Sequence, residues 1–260
     1  VSQAYEGGNR LLDCISSDER SIFQNALHVA PFAIRDEVVT QDESPREVLF
    51  PIDCIFSIVA LLQNGTTIEV GTVGREGFVP GEAIADAPLA LRSTFCQVSG
   101  LAAVMERGAF ERAFAAGGMF ALLVRRNVTS RLYVSEQLTA CNLVHSIVQR
   151  CARWLLMTRD RVGREEFSLT HESLAMMLGV RRAGVTEAAG QLQALGAIRY
   201  RRGHITLVDG ELLLAQSCEC YAATTDMVEA ALDCPPLPDS LLSSTGTEGM
   251  RLRMSQRRDA

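Results

Sequence analysis

The chain has 260 residues, 47% of them hydrophobic, and a formal net charge of −6 at neutral pH. That composition buries a substantial core and excludes a wholly disordered chain, and the length favours two modest domains over one large one. No run approaches the roughly eighteen consecutive apolar residues of a membrane-spanning helix, and the first residues lack the layout of a secretion signal. The expectation is therefore a soluble cytoplasmic protein with no membrane partner.

The acidic average hides an asymmetry. All 25 basic residues are arginine, and residues 150–204 hold ten of them against five acidic residues. A local positive excess inside an acidic chain marks the segment that would meet a polyanion, and arginine offers paired contacts to phosphates and guanine edges.

In chain order, residues 1–9 read as loose. From Arg10 to about His28, Leu11, Leu12, Ile15, Ile22, Phe23, Ala26 and Leu27 suggest one or two short amphipathic helices before Pro31. Residues 34–106 then alternate β-prone runs with turn signals such as Asn64-Gly65, Pro80-Gly81 and Ser99-Gly100, the pattern of an antiparallel roll of about eight strands. Gly71, Gly74 and Gly77 do not have dinucleotide-fingerprint spacing and read as turn glycines.

From about Gly108 to about Arg161 the periodicity is helical, with Phe120, Val124, Val128, Leu132 and Leu138 near helical spacing and a break near Cys141–His145. A helix this long cannot bury its whole length on one small roll, which predicts a homodimer joined through it. Residues 209–233 read as a terminal helix, and the segment beyond Cys234 as a disordered tail over 235–260 ending in arginines.

The most informative stretch is 167–208. Thr170 suits a helix N-cap, and Leu174, Met177 and Leu178 form an inner face. Ala175 is small where a second helix crosses, and Gly179 suits a left-handed helix stop. A second helix starting near Arg181 would bury Val185, Ala188 or Ala189, Leu192 and Leu195 before Gly196. Arg181, Arg182, Thr186 and Gln193 are then left facing outward near its start and flank, where recognition helices meet DNA, and Thr170 joins Arg181, Arg182 and Thr186 as a DNA-binding candidate. Ile198–Val208 reads as strand, turn and strand, with Arg201 and Arg202 at a hairpin tip well placed for phosphates. These features predict binding to double-stranded DNA.

A β-roll, a long helix and a winged helix-turn-helix, in that order, resemble the Crp/Fnr superfamily of bacterial regulators. The resemblance implies an α+β fold. A jelly-roll-like antiparallel sensor roll spans 10–107, a central dimerisation helix 108–145 and a winged helix-turn-helix 146–220. It also implies a near-palindromic DNA site and RNA polymerase as a partner. Members that read the familiar half-site carry Arg-Glu and a later Arg on the recognition helix. Here Arg182, Ala183 and Glu187 stand at those positions, which puts the preferred bases in doubt.

In cyclic-nucleotide-binding members a Gly-Glu pair and an Arg-Ser pair hold ribose and cyclic phosphate. Gly81-Glu82 and Arg92-Ser93 stand in that order here, with Ser135 on the long helix as a further contact. Against this, Thr94 replaces a usual alanine and Glu136 stands where a second hydroxyl is expected, so the effector is left open and a cyclic nucleotide is the alternative.

The eight cysteines are scattered and read mostly as small buried hydrophobes. An iron–sulfur site of the oxygen-sensing branch finds only Cys14 at the N-terminal side. Haem through His28, His145 or a cysteine has no further support. Cys218 and Cys220 are the sole close pair; they read as structural, a thiol switch being the alternative, because a metal would need two more ligands. The four histidines lie far apart with no nucleophile or acid pair around them. The reading is a regulator rather than an enzyme, with an enzyme or a protein-interaction module as the alternatives from other classes.

Overall fold

A computed structural model describes residues 3–85 and 87–233, so the expected tail at 235–260 lies outside the described residues. The N-terminal half contains strands β1 (Gln3–Ala4), β2 (Leu27–Phe32), β3 (Glu37–Val39), β4 (Glu47–Pro51), β5 (Ile55–Leu61), β6 (Thr67–Val73), β7 (Ser93–Val98) and β8 (Gly100–Glu106). They form two antiparallel four-stranded sheets, ordered β1-β2-β8-β4 and β3-β7-β5-β6. Leu49, Phe56, Val73, Cys96 and Val104 fill the space between them. The β5–β6 hairpin turns at Gly65, whose φ of 81° is open to glycine without strain.

Two short helices, α1 (Arg10–Asp13) and α2 (Ser17–Ser21), precede β2. Leu27 and His28, expected at the end of a helix, instead begin β2. Pro31 is tolerated there because β1 pairs only with His28 and Val29, leaving that side of β2 an edge at the proline. Over residues 3–9 the expected looseness is also corrected, residues 1–2 lying outside the described residues. Buried Asn9 donates through Nδ2 to the carbonyls of Pro51 (2.8 Å) and Gly77 (3.0 Å), and its backbone N–H donates to the Tyr5 hydroxyl.

The helical stretch breaks twice. α3 (Arg107–Ala115) ends before Gly117 and Gly118, with φ of 85° and 73°, and α4 runs from Gly118 to Val144. His145 is extended, and α5 (Ile147–Val162) starts on a capping box made by Ser146 and Gln149.

Beyond α5 come β9 (Glu166–Ser168), α6 (His171–Leu178), α7 (Arg182–Ala194), β10 (Ile198–Arg201), β11 (His204–Leu207), α8 (Gly210–Ala215) and α9 (Cys220–Leu232). The expected single terminal helix is therefore two, parted around Cys218. α9 runs back along α4. Gln137 Nε2 donates to Cys220 Sγ (3.1 Å), Ser130 Oγ to the Met227 carbonyl (3.0 Å), and Arg126 Nη1 to the Asp233 carbonyl (2.7 Å). Among the described residues, no helix is long and apolar enough to cross a membrane.

The C-terminal core packs Leu155, Leu174, Leu178, Val185, Leu192 and Ile205 around α5 and reaches Ile55 and Val98 of the roll. Glu69 of β6 bridges the same junction, accepting from Ser57 Oγ (2.6 Å), Gln97 Nε2 (2.9 Å) and Trp154 Nε1 (3.4 Å).

Candidate DNA-binding surface and effector pocket

The helix pair α6–α7 forms as its residues dictate. Thr170 caps α6, its Oγ1 accepting from the Ser173 N–H (3.0 Å), and Gly179 stops it in the left-handed region at φ 61°, ψ 38°. Val185, Ala188, Ala189 and Leu192 turn the inner face of α7 into the core. Leu195 departs from expectation. It lies just past the last turn and is 49% exposed, because the chain is already bending into Gly196 (φ 83°).

The inner face fixes the outer one. Arg181 occupies the N-cap of α7 in extended conformation, and Arg181, Arg182, Ala183, Thr186 and Glu187 are all exposed. Four backbone N–H groups open toward this end of the helix, where the dipole is positive. Thr186 is less available than a bare outward hydroxyl. Its Oγ1 donates to the Arg182 carbonyl (3.0 Å) and sits 3.0 Å from His171 Nδ1. His171 stacks on Tyr200 at 4.3 Å between ring centroids, tying α6, α7 and β10 together. Burial, then the Arg182 charge, lowers the His171 pKa.

Beside the helices, β10, β11 and β9 form a three-stranded sheet in which β9 is a strand the sequence reading missed. Arg202 and Gly203, at φ of 50° and 80°, make the two-residue turn between β10 and β11, with positive φ at both positions as the twist of a tight hairpin requires. Arg201 and Arg202 are both exposed at this tip. Thr170 neighbours it, since the Leu169 N–H donates to the Gly203 carbonyl (2.8 Å). All six residues expected to meet DNA therefore lie on α7, on the hairpin tip or at the start of α6.

Between the roll and α4 lies a cavity of about 480 Å³. Gly81, Glu82, Arg92 and Ser135 line it; Ser93 does not, its Oγ accepting from the Gln41 N–H (3.0 Å) instead. Glu82 Oε1 accepts from the Leu91 N–H (3.2 Å), and Arg92 Nη1 donates to the Leu91 carbonyl (2.8 Å).

Two lining residues escaped the sequence reading. Arg131 of α4 donates to the Phe78 carbonyl (3.2 Å), and burial lowers its pKa against the opposing pull of Glu82 and Glu76. Arg161 of α5 pairs with Glu76 at 2.8 Å and donates to Thr72 Oγ1. Their signal was an arginine interrupting an apolar periodicity, which alone does not separate a pocket cation from a solvated one. With Glu76 held by Arg161, Arg92 and Arg131 are the cations whose hydrogen bonds go only to backbone carbonyls, so the pocket chemistry suits an anion.

Cys54, Cys96 and Cys151 are buried as expected, and burial pushes the Cys96 and Cys151 thiols up to about 12. Cys218 and Cys220 are also buried, but the fold brings Cys141 and His145 beside them. Those are the two partners the close pair lacked in sequence.

The Crp-like helix-turn-helix domain family matches residues 149–216. Among curated proteins, none matches the chain. Several solved structures share its fold. FixK2 from Bradyrhizobium japonicum is 14% identical with a TM-score of 0.58, over 74% of this chain and 98% of its own. A CRP-family transcriptional regulator from Thermus thermophilus is 18% identical with a TM-score of 0.56, over 79% of this chain and 100% of its own. The c-di-GMP responsive global regulator CLP from Xanthomonas campestris is 14% identical with a TM-score of 0.57, over 74% of this chain and 99% of its own. The chain thus carries a Crp-like helix-turn-helix domain at 149–216 and shares the fold of solved Crp/Fnr-family proteins.

Proposed function

We propose that the chain acts as a cytoplasmic homodimer that lays one α7 per half-site into adjacent major grooves of a near-palindromic DNA site and works with RNA polymerase. Residues 10–107 form its sensor, 108–145 join the two copies, and 146–220 bind DNA. The observation that carries this reading is the exposed cluster of Arg181, Arg182, Arg201 and Arg202 on an otherwise acidic chain, with Arg182 at the first turn of α7.

Arg182 reads a base, Arg181 and the hairpin arginines hold phosphates, and Thr170 and Thr186 support the approach. Thr186 acts mainly by fixing helix positions through His171. The dimer reading is supported by the outer stripe of α4, where Leu132 and Leu143 are 57% and 83% exposed while α9 covers another face. No enzymatic reaction is assigned. The test is sedimentation of the chain with a short duplex carrying a selected site. Two chains per duplex are expected; one chain per duplex at saturation contradicts the dimer.

For the effector we favour an anionic small molecule in the cavity under α4. A cyclic nucleotide is the specific alternative, supported by Gly81, Glu82, Arg92 and Ser135 lining that cavity and weakened by Ser93 lying outside it. Calorimetry with cyclic mononucleotides and cyclic dinucleotides decides between them. Heat abolished by Arg92→Ala and Arg131→Ala supports an anion held here, and its absence with every cyclic nucleotide removes the alternative.

A further inference from the structure

Cys141 lies in the last turn of α4, and His145 follows four residues later at the C-cap of that helix, so both face the same side. Cys218 lies in the connection after α8, and Cys220 opens α9. The alignment of α9 along α4 brings the two pairs together, so that one ligand atom from each residue lies within 4.8 Å of every other. All three cysteines are buried, and the His145 side chain is 13% exposed.

The distances have a specific meaning. Tetrahedral zinc, with bonds of about 2.3 Å to sulfur and about 2.0 Å to nitrogen, sets sulfurs about 3.8 Å apart and sulfur and nitrogen about 3.5 Å apart. Here Cys141 Sγ and Cys218 Sγ are 3.6 Å apart, and Cys220 Sγ and His145 Nδ1 are 3.7 Å apart. Sulfurs held by different irons of a cluster stand farther apart than the 4.8 Å spanned here, and a disulfide between Cys141 and Cys218 needs about 2.05 Å.

The groups around these four residues suit a bound metal. His145 Nε2 lies 3.2 Å from Glu219 Oε1, an acceptor of the kind that orients a metal-binding imidazole, while Nδ1 faces Cys220. Gln137 donates to the Cys220 sulfur. Arg150 and Arg153 are 7% and 3% exposed, form no ion pair among the described residues, and leave both Nε atoms without a hydrogen-bond partner. Both are close enough to Cys141 for electrostatic attraction. Two buried cations without an acidic partner are costly, and a negatively charged metal–thiolate centre offsets that cost.

We propose that Cys141, His145, Cys218 and Cys220 bind one zinc ion. On binding, the three thiols release their protons to solvent and the neutral imidazole donates through Nδ1. The centre then carries a single net negative charge facing Arg150 and Arg153. The four ligands bracket residues 146–217, so the ion clamps the chain where it enters and where it leaves the DNA-binding domain. This proposal stands independently of the DNA and effector readings.

The test is zinc content and cobalt substitution of the full chain, purified reduced and reconstituted without oxygen. The expected result is about one zinc per chain, retained in Cys151→Ala and reduced at least tenfold in Cys218→Ser and Cys220→Ser. The cobalt form of the unaltered chain should show the intense visible bands of tetrahedral thiolate coordination. That spectrum decides the matter even if a variant fails to fold. Substoichiometric zinc with an octahedral cobalt spectrum overturns the proposal, as does full zinc in folded Cys220→Ser.

Discussion

Arg182 and Arg202 are both exposed arginines on one surface, yet their positions give them different work. Arg182 projects from the first turn of α7 and Arg202 sits at a hairpin tip, and on the proposed reading the first meets a base edge and the second a phosphate. Replacing Arg182 with Ala should erase preference at one symmetric base pair, at a cost of about 1–3 kcal/mol on the preferred site, measured by competition between duplexes. Arg202→Asn should instead weaken binding equally on all sequences and lower the salt slope by about one. Asn tolerates the positive φ of 50° at that turn, so the change tests charge without breaking the hairpin.

At the scale of elements, the junction between roll and DNA-binding domain turns on Glu69. Burial raises its pKa from 4.5 to about 7, while hydrogen bonds from Ser57 and Trp154 and the charges of Arg161 oppose the rise. A carboxyl group raised in the fold stabilises it below its ordinary pKa, and that contribution is lost as pH rises through about 7. Thermal unfolding should therefore show a junction weakening between pH 4.5 and about 7, and Glu69→Gln should flatten that dependence. An unchanged pH profile in the variant would assign the effect to other groups.

Elements whose boundaries are set by their own residues were legible in the sequence. Thr170, Gly179 and Gly196 fix the helix pair through local capping and backbone conformation, and Asn64-Gly65 fixes a hairpin. Elements decided by distant partners were not. β2 forms against β8 despite Pro31, and β9 exists because β11 offers it an edge. Cys141 and His145 reach Cys218 and Cys220 only because α9 folds back on α4. The pocket was half visible for the same reason: Gly81, Glu82 and Arg92 are neighbours along the chain, whereas Arg131 and Arg161 arrive on separate helices.

For the whole molecule, the proposed function makes α4 the link between sensing and DNA binding. One side of it packs on the roll and another carries α9, while Leu132, Tyr133, Leu143 and Val144 remain exposed. Association of two copies along this stripe would bury that apolar surface and set the two α7 helices about one DNA turn apart. Leu132→Glu together with Leu143→Glu should give a folded monomer by sedimentation, with half-site binding weaker by several orders of magnitude. A dimer that survives both changes would place the joint elsewhere.

The central claim, that α7 reads DNA while the hairpin holds its backbone, is tested most directly by selecting bound duplexes from a random pool at moderate salt, supplied in turn with cyclic nucleotides and with a cell extract. The account predicts enrichment of an inverted repeat whose half-site centres lie about one helical turn apart, with Arg182→Ala losing one symmetric position. A pool that stays unenriched under both conditions, or an enriched motif unchanged by Arg182→Ala, would contradict it.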